Sequence, residues 1–282
     1  MLMEKKTGFY IFVTLFLTFC LSVSCGRQTQ DTEIDPYFIT SSKDTKEHFM
    51  DLFKLLKSEK GNSEGEAAVT RAIAASFAKQ KDYERLIHFL NNRVINNPND
   101  PYNGYYLLMA AYAYMQLDSE PIAVLYFDLI IKNYPDLTIN DESIHLVCLK
   151  HLIELNTNPK QLAFYYQELI SRFPEKIDLG AAYFMLGQAC ESIGDWNGAI
   201  QAYSKYLPYA DSIIPGFPNA DIYAKRQVDF SKSPKDWTFE SLPALRFAVE
   251  EALETGNARA LRRCQAKVNF FTRSWEQMET DV

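Results

Sequence analysis

The chain has 282 residues, 47% of them hydrophobic, and its 29 Lys and Arg against 36 Asp and Glu give a formal charge of −7. It is long and apolar enough to bury a sizeable core, and an acidic balance without basic runs argues against a surface that tracks nucleic-acid phosphates. Eleven Gly and twelve Pro are too few for a collagenous or low-complexity chain.

At the start, Lys5 and Lys6 precede an uncharged stretch from Thr7 to Gly26, and its centre, Phe9 to Leu21, has the apolar character of a secretory signal. Small residues, Ser22, Val23 and Ser24, then lead to Cys25. This pattern resembles the lipobox of bacterial lipoproteins, in which the Cys thiol receives a diacylglyceryl group and the signal is cut just before it. Leu21 stands four residues ahead of Cys25, where the family prefers three. The resemblance implies a signal peptide over residues 1–24 and lipidation at Cys25. Gly26 after the Cys favours attachment to an outer membrane, facing the periplasm. Two other readings remain beside it: an uncleaved membrane anchor, since about twenty uncharged residues can just span a bilayer, and a plain cleaved signal.

Residues 25–42, polar and acidic over 26–36, read as a tether. Residues 43–66 read as an N-terminal capping helix, with Phe49, Leu52, Phe53, Leu55 and Leu56 at helical spacing. Four similar units then occupy residues 67–208, starting near 67, 104, 143 and 180, a period of about 37–39 residues. The clearest runs from Ala181 to Leu207. Leu186-Gly187 puts a small residue where two helices must approach, Gly194-Asp195 offers a left-handed turn followed by a helix cap, and Ala199 and Tyr203 pair a small residue with an aromatic. The same frame places Ala111, Tyr114, Ala123, Phe127 and Pro135 in the second unit, and Leu149, Ile153, Leu162, Tyr166 and Pro174 in the third. The first unit has the turn at Asp82 and the exit Asn97-Pro98-Asn99-Asp100, with Leu86 at the small position. These units resemble the tetratricopeptide repeat. The resemblance implies an all-α fold, a TPR-like right-handed solenoid of antiparallel helical hairpins whose units share one continuous core. After it, residues 209–238, with Pro215, Pro218 and Pro234, read as an irregular connector. Residues 239–282 read as a C-terminal helical pair, Leu242–Leu253 and Ala258–Phe271, split by Glu254-Thr-Gly-Asn257. The pair is either a cap or the opening of a further domain.

In this family the first helix of each hairpin lines a groove that grips peptides or protein segments. Carried over, the frame puts Arg71 and Lys79 at one end, then Tyr105, Leu108, Tyr112, Met115 and Gln116, then His151 and Glu154, and finally Phe184, Gln188 and Glu191. Exposed Tyr makes a good anchor, offering a large contact area and a hydroxyl at small rotamer cost. His145, Cys148 and His151 step by three along one helix and spread over about 120°, unlike the i, i+4 pairing of zinc ligands on one helix. No metal or cofactor is expected. Cys148, Cys190 and Cys264 are odd in number and far apart, and read as small core residues. Gly-x-Ser-x-Gly, a Gly-Lys-Ser/Thr phosphate loop, His-Glu-x-x-His and Gly-x-Gly-x-x-Gly are missing from the sequence, so no enzyme is expected.

The chain broadly resembles outer-membrane assembly lipoproteins of the BamD type, with an anchored Cys and helical repeats that exit through Tyr134-Pro135 and Phe173-Pro174. This implies a membrane-anchored scaffold that binds partner proteins in the cell envelope, within outer-membrane protein assembly. The alternatives are an accessory subunit of a periplasmic solute transport system and a truncated envelope enzyme.

Overall fold

The computed structural model describes residues 35–39 and 43–268. The expected signal peptide, Cys25 and most of the tether lie outside the described residues, as does the end of the C-terminal pair. The described chain is all-α apart from one short β-hairpin. Its helices are α1 (Lys43–Ser58), α2 (Ser63–Lys79), α3 (Tyr83–Asn96), α4 (Asn103–Gln116), α5 (Glu120–Asn133), α6 (Ile144–Leu155), α7 (Pro159–Arg172), α8 (Leu179–Ser192), α9 (Trp196–Tyr206), α10 (Ala220–Lys232), α11 (Leu242–Glu254) and α12 (Ala258–Arg263). The hairpin, β1 (Thr138–Ile139) with β2 (Glu142–Ser143), lies between α5 and α6.

The chain divides into two compact units at Arg85/Leu86, inside α3. In the first, α1 packs on α2 around a cluster of tilted rings. Phe49 and Phe77 are fully buried with ring centroids 4.5 Å apart, and Phe38, from a 3-10 turn at Pro36–Phe38, reaches Phe53 at 6.0 Å. The division between capping helix and first repeat expected at 66/67 falls inside α2, which already begins at Ser63.

In the second unit each helix from α4 to α9 packs on its successor, and α4 also touches α6. One buried cluster takes in Leu107, Ala111, Ala123, Phe127, Ile130, Cys148, Leu152, Tyr165 and Leu169, spanning α4 to α7. Another takes in Ala163, Tyr166, Phe184, Leu186, Ala199, Tyr203, Tyr206, Ala224 and Val228, spanning α7 to α10. Helix α7 serves both, because Tyr165 and Leu169 lie on one face and Ala163 and Tyr166 on another. The small and aromatic residues expected together on second helices, Ala123 with Phe127 and Ala199 with Tyr203, are buried completely or nearly so. Gly187 is where backbone must come close, for a Cβ built there would lie 2.4 Å from the Tyr203 ring.

Three-residue links at 80–82, 117–119, 193–195 and 255–257 share one closure. Their middle residues, Lys81, Asp118, Gly194 and Gly256, have φ of 58°, 53°, 77° and 63°. The next N–H reaches back across six residues: Asp82 to the Phe77 carbonyl, Ser119 to Tyr114, Asp195 to Cys190 and Asn257 to Ala252, at 2.9–3.0 Å. The left-handed residue bonds inside that loop, as Gly194 does to Glu191 at 3.0 Å. This is the Schellman closure, which satisfies carbonyls that a helix end leaves bare. Asp195 and Asn257 then cap the following helix, accepting from Gly198 at 2.9 Å and Ala260 at 3.1 Å. The link at 156–158 differs: Asn156 is extended, and Asn158 caps α7 ahead of Pro159.

Two expectations are corrected at the C-terminal side. Residues 209–238 contain α10: Pro215 and Pro218 precede it and Pro234 follows it, so the prolines bound the helix, while Ala220, Ala224 and Val228 recur every four residues and are buried. The second helix of the terminal pair ends at Arg263, short of the run expected to Phe271.

Candidate functional site

Tyr112 and His151 meet across the contact between α4 and α6. Their rings meet edge to face with centroids 5.4 Å apart, and the His151 Nε2 lies 3.3 Å from the Tyr112 hydroxyl. Phe127, from α5, lies beneath both, stacked on His151 at 5.0 Å and edge-on to Tyr112 at 6.1 Å. Tyr112 keeps 39% of its surface exposed, and the exposed Glu154 places its carboxylate 3.7 Å from His151 Nδ1. Burial first, then Cys148 and the Glu142 carboxylate, push the Tyr112 phenol upward, so it stands as a neutral hydroxyl at physiological pH.

On three helices a set of exposed and half-exposed residues falls into register. On α4 these are Tyr105, Met109, Tyr112 and Gln116, on α6 Val147, His151 and Glu154, and on α8 Ala181, Met185, Gln188 and Ser192. Steps of four and three keep each set on one helix face. Met115 is half-buried and packs on the α4–α7 core.

Two residues expected to line the groove do not. Leu108 is 6% exposed and Phe184 fully buried, the latter with its ring 5.7 Å from Tyr203 and 5.1 Å from Phe217. Each misses the exposed face by one residue, and Met109 and Met185 occupy it. The signal was present for Met109, which completes the step from Tyr105 to Tyr112.

Gln188 and Glu191 are half-buried on α8, and their polar ends are committed internally. The Tyr203 hydroxyl on α9 donates to one Glu191 carboxylate oxygen at 2.6 Å, and the Tyr223 hydroxyl on α10 donates to the other at 2.6 Å. Gln188 donates to Tyr203 at 2.6 Å. Burial, followed by the adjoining carboxylate, raises both phenols. This network ties α8 to α9 and α10. Arg71 and Lys79 are both exposed on α2, in the first unit.

Cys148 and Cys190 are buried as expected, whereas Cys264 is half-exposed. Burial pushes the Cys148 thiol up to about 12, leaving it protonated at neutral pH. His145, Cys148 and His151 do not converge, since His145 points to the end of α7 and His151 to Tyr112. Among the described residues no group of three or more His, Cys, Asp or Glu side chains is placed to hold a metal ion, and no helix is long and apolar enough to cross a membrane. Comparison with protein-family models, with curated proteins and with solved structures finds no match to this chain.

Proposed function

We propose that the protein is a membrane-anchored scaffold of the bacterial cell envelope that binds a segment of a partner protein. In this reading residues 1–24 direct export, Cys25 carries the lipid, and the chain sits on the outer membrane facing the periplasm, in outer-membrane protein assembly. The helices form a TPR-like right-handed solenoid, and the face running through Tyr105, Met109, Tyr112, His151 and Met185 takes an extended peptide without a cofactor. Tethering raises the local concentration of scaffold and partner.

The observation that carries the reading is the Tyr112–His151 contact, because it brings together first helices of successive hairpins, α4 and α6. That is the neighbour relation a groove of first helices needs. Tyr and Met supply contact area that adapts to an irregular partner.

The test is in-cell photo-crosslinking from position Gln116, with Leu125 on α5, 67% exposed, as the control. A partner captured at Gln116, absent at Leu125 and lost with Tyr112→Ala/Met109→Ala, is the expected result. Each anchor removed should weaken binding by about 2 kcal/mol, roughly thirtyfold. Equal capture at both positions, or capture indifferent to the double substitution, would sink the groove.

A further inference from the structure

The segment from Tyr134 to Ser143 folds back on the start of α6, and His145, 5% exposed, sits where it is held. The His145 Nε2 lies 3.0 Å from the Tyr134 carbonyl, and Nδ1 lies 2.5 Å from Nη2 of Arg172 at the end of α7. A guanidinium only donates, so Nδ1 is the acceptor and the ring proton is on Nε2, donated to Tyr134. Asp136 accepts from the His145 backbone N–H at 3.1 Å and from the Ser143 hydroxyl at 2.7 Å. Ser143 in turn caps α6 by accepting from Leu146 N–H at 3.1 Å. Neutral His145 thus joins α7, the segment and the start of α6.

We propose that His145 is a proton-operated latch: when it takes up a proton it expels Arg172, and the Tyr134–Ser143 segment loosens from α6 and α7.

The geometry dictates the order of events. A proton on Nδ1 occupies the lone pair that accepts from Arg172 and sets two cations at hydrogen-bond distance. Arg172 has a carboxylate to turn to on its own helix, Glu168 at 3.7 Å, while Asp136 of the segment stands 3.8 Å away. The groups that face the imidazole are Arg172 and Glu168 from α7, Asp136 from the segment, and the Tyr134 carbonyl at the end of α5. Asp136, Glu168 and the carbonyl favour the cation. Burial, the largest effect, and Arg172 oppose it, and the ring is held below its ordinary value. The latch is therefore at full strength above about pH 6.5 and weakens progressively as pH falls below it, toward the lowered value of the closed ring.

Besides these bonds the segment is held by Tyr134, Leu137 and Ile139, which pack on the α4–α7 core. Its turn places two successive non-glycine residues, Asn140 and Asp141, in the left-handed region at φ 50° and 64°. Its ladder consists of Thr138 paired with Ser143 and Ile139 with Glu142, followed by the Ile144 N–H to the Leu137 carbonyl at 2.9 Å.

The test is hydrogen exchange of the full chain, read on peptides covering 134–146 from pH 7.5 to 5 and corrected for intrinsic chemical rates. Protection in the wild type should fall by up to about tenfold per pH unit below about 6.5. His145→Gln keeps a donor for Tyr134 and an acceptor for Arg172 but cannot titrate, so its protection should stay level. Arg172→Met should be poorly protected already at pH 7.5. A level wild-type profile, a His145→Gln profile that falls in parallel with it, or full neutral-pH protection in Arg172→Met would each overturn the latch. If His145→Gln does not fold, the wild type and Arg172→Met still decide.

Discussion

Replacing Gly187 with Ala puts opposing effects on one methyl group. In an exposed helix the change stabilises by up to about 1 kcal/mol, because Gly has the greater freedom to lose. Here the new Cβ would lie 2.4, 2.6 and 2.9 Å from three carbons of the Tyr203 ring, against about 3.5–4.0 Å for a comfortable carbon contact. The ring cannot yield cheaply. It is fully buried, with Phe184 at 5.7 Å and Tyr223 at 5.8 Å, and its hydroxyl is held by Glu191 and Gln188. Forced repacking costs about 1–3 kcal/mol, and weakening a hydrogen bond to a carboxylate adds about 1.5–3 kcal/mol if it breaks. Set against the propensity gain, a net destabilisation of about 2–3 kcal/mol is expected. Urea unfolding followed by far-UV circular dichroism measures it. The same substitution in a Tyr203→Leu background, where the ring is absent, should cost at least about 1 kcal/mol less. A Gly187→Ala protein that is more stable than wild type, or a penalty unchanged by Tyr203→Leu, would refute the close-approach argument.

Lys81 bears a left-handed conformation without being glycine, so Lys81→Gly should stabilise the protein by about 0.5–1 kcal/mol in the same urea assay, whereas Gly194→Ala should cost about 1 kcal/mol. Asp100 and Arg93 pair at 3.1 Å with side chains 7% and 11% exposed, and Asp100 also accepts from the Tyr102 N–H at 2.9 Å. Asp100→Ala removes the carboxylate from this pair and should destabilise by about 1.5–3 kcal/mol, and a loss below about 1 kcal/mol would mean that solvent already shares the pair. With its thiol at about 12, Cys148 is thiolate to only about one part in ten thousand at pH 8. Alkylation of the native protein, resolved by mass spectrometry, should modify half-exposed Cys264 first and leave Cys148 until denaturant is added.

Much of the helical layout was legible in the sequence because it rests on local chemistry. The repeat positions 104, 143 and 180 lie within one residue of the helix starts at Asn103, Ile144 and Leu179. Gly194-Asp195 forms the turn and cap that its residue types prescribe. The face proved harder to read: Leu108 and Phe184 are each one residue from it, and one residue is about 100° of helix, which separates core from surface. Non-local partners were out of reach. Glu191 looks like a solvated groove residue until Tyr203 and Tyr223 arrive from 12 and 32 residues away. Helix α10 was hidden by prolines that bound it. The Arg172 that engages His145 comes from 27 residues further on.

The closed turns bear on where the chain tolerates added length. At 117–119, 193–195 and 255–257 backbone bonds span a fixed six-residue loop, so one added residue would break the closure and swing the next helix out of phase. The stretch 207–219 obeys no such count and is open enough to leave Ile213 87% exposed. A protease site or epitope placed beside Ile213 should leave the core intact, while one placed at Gly194 should not. Added length therefore has a physical home, the junction that follows α9.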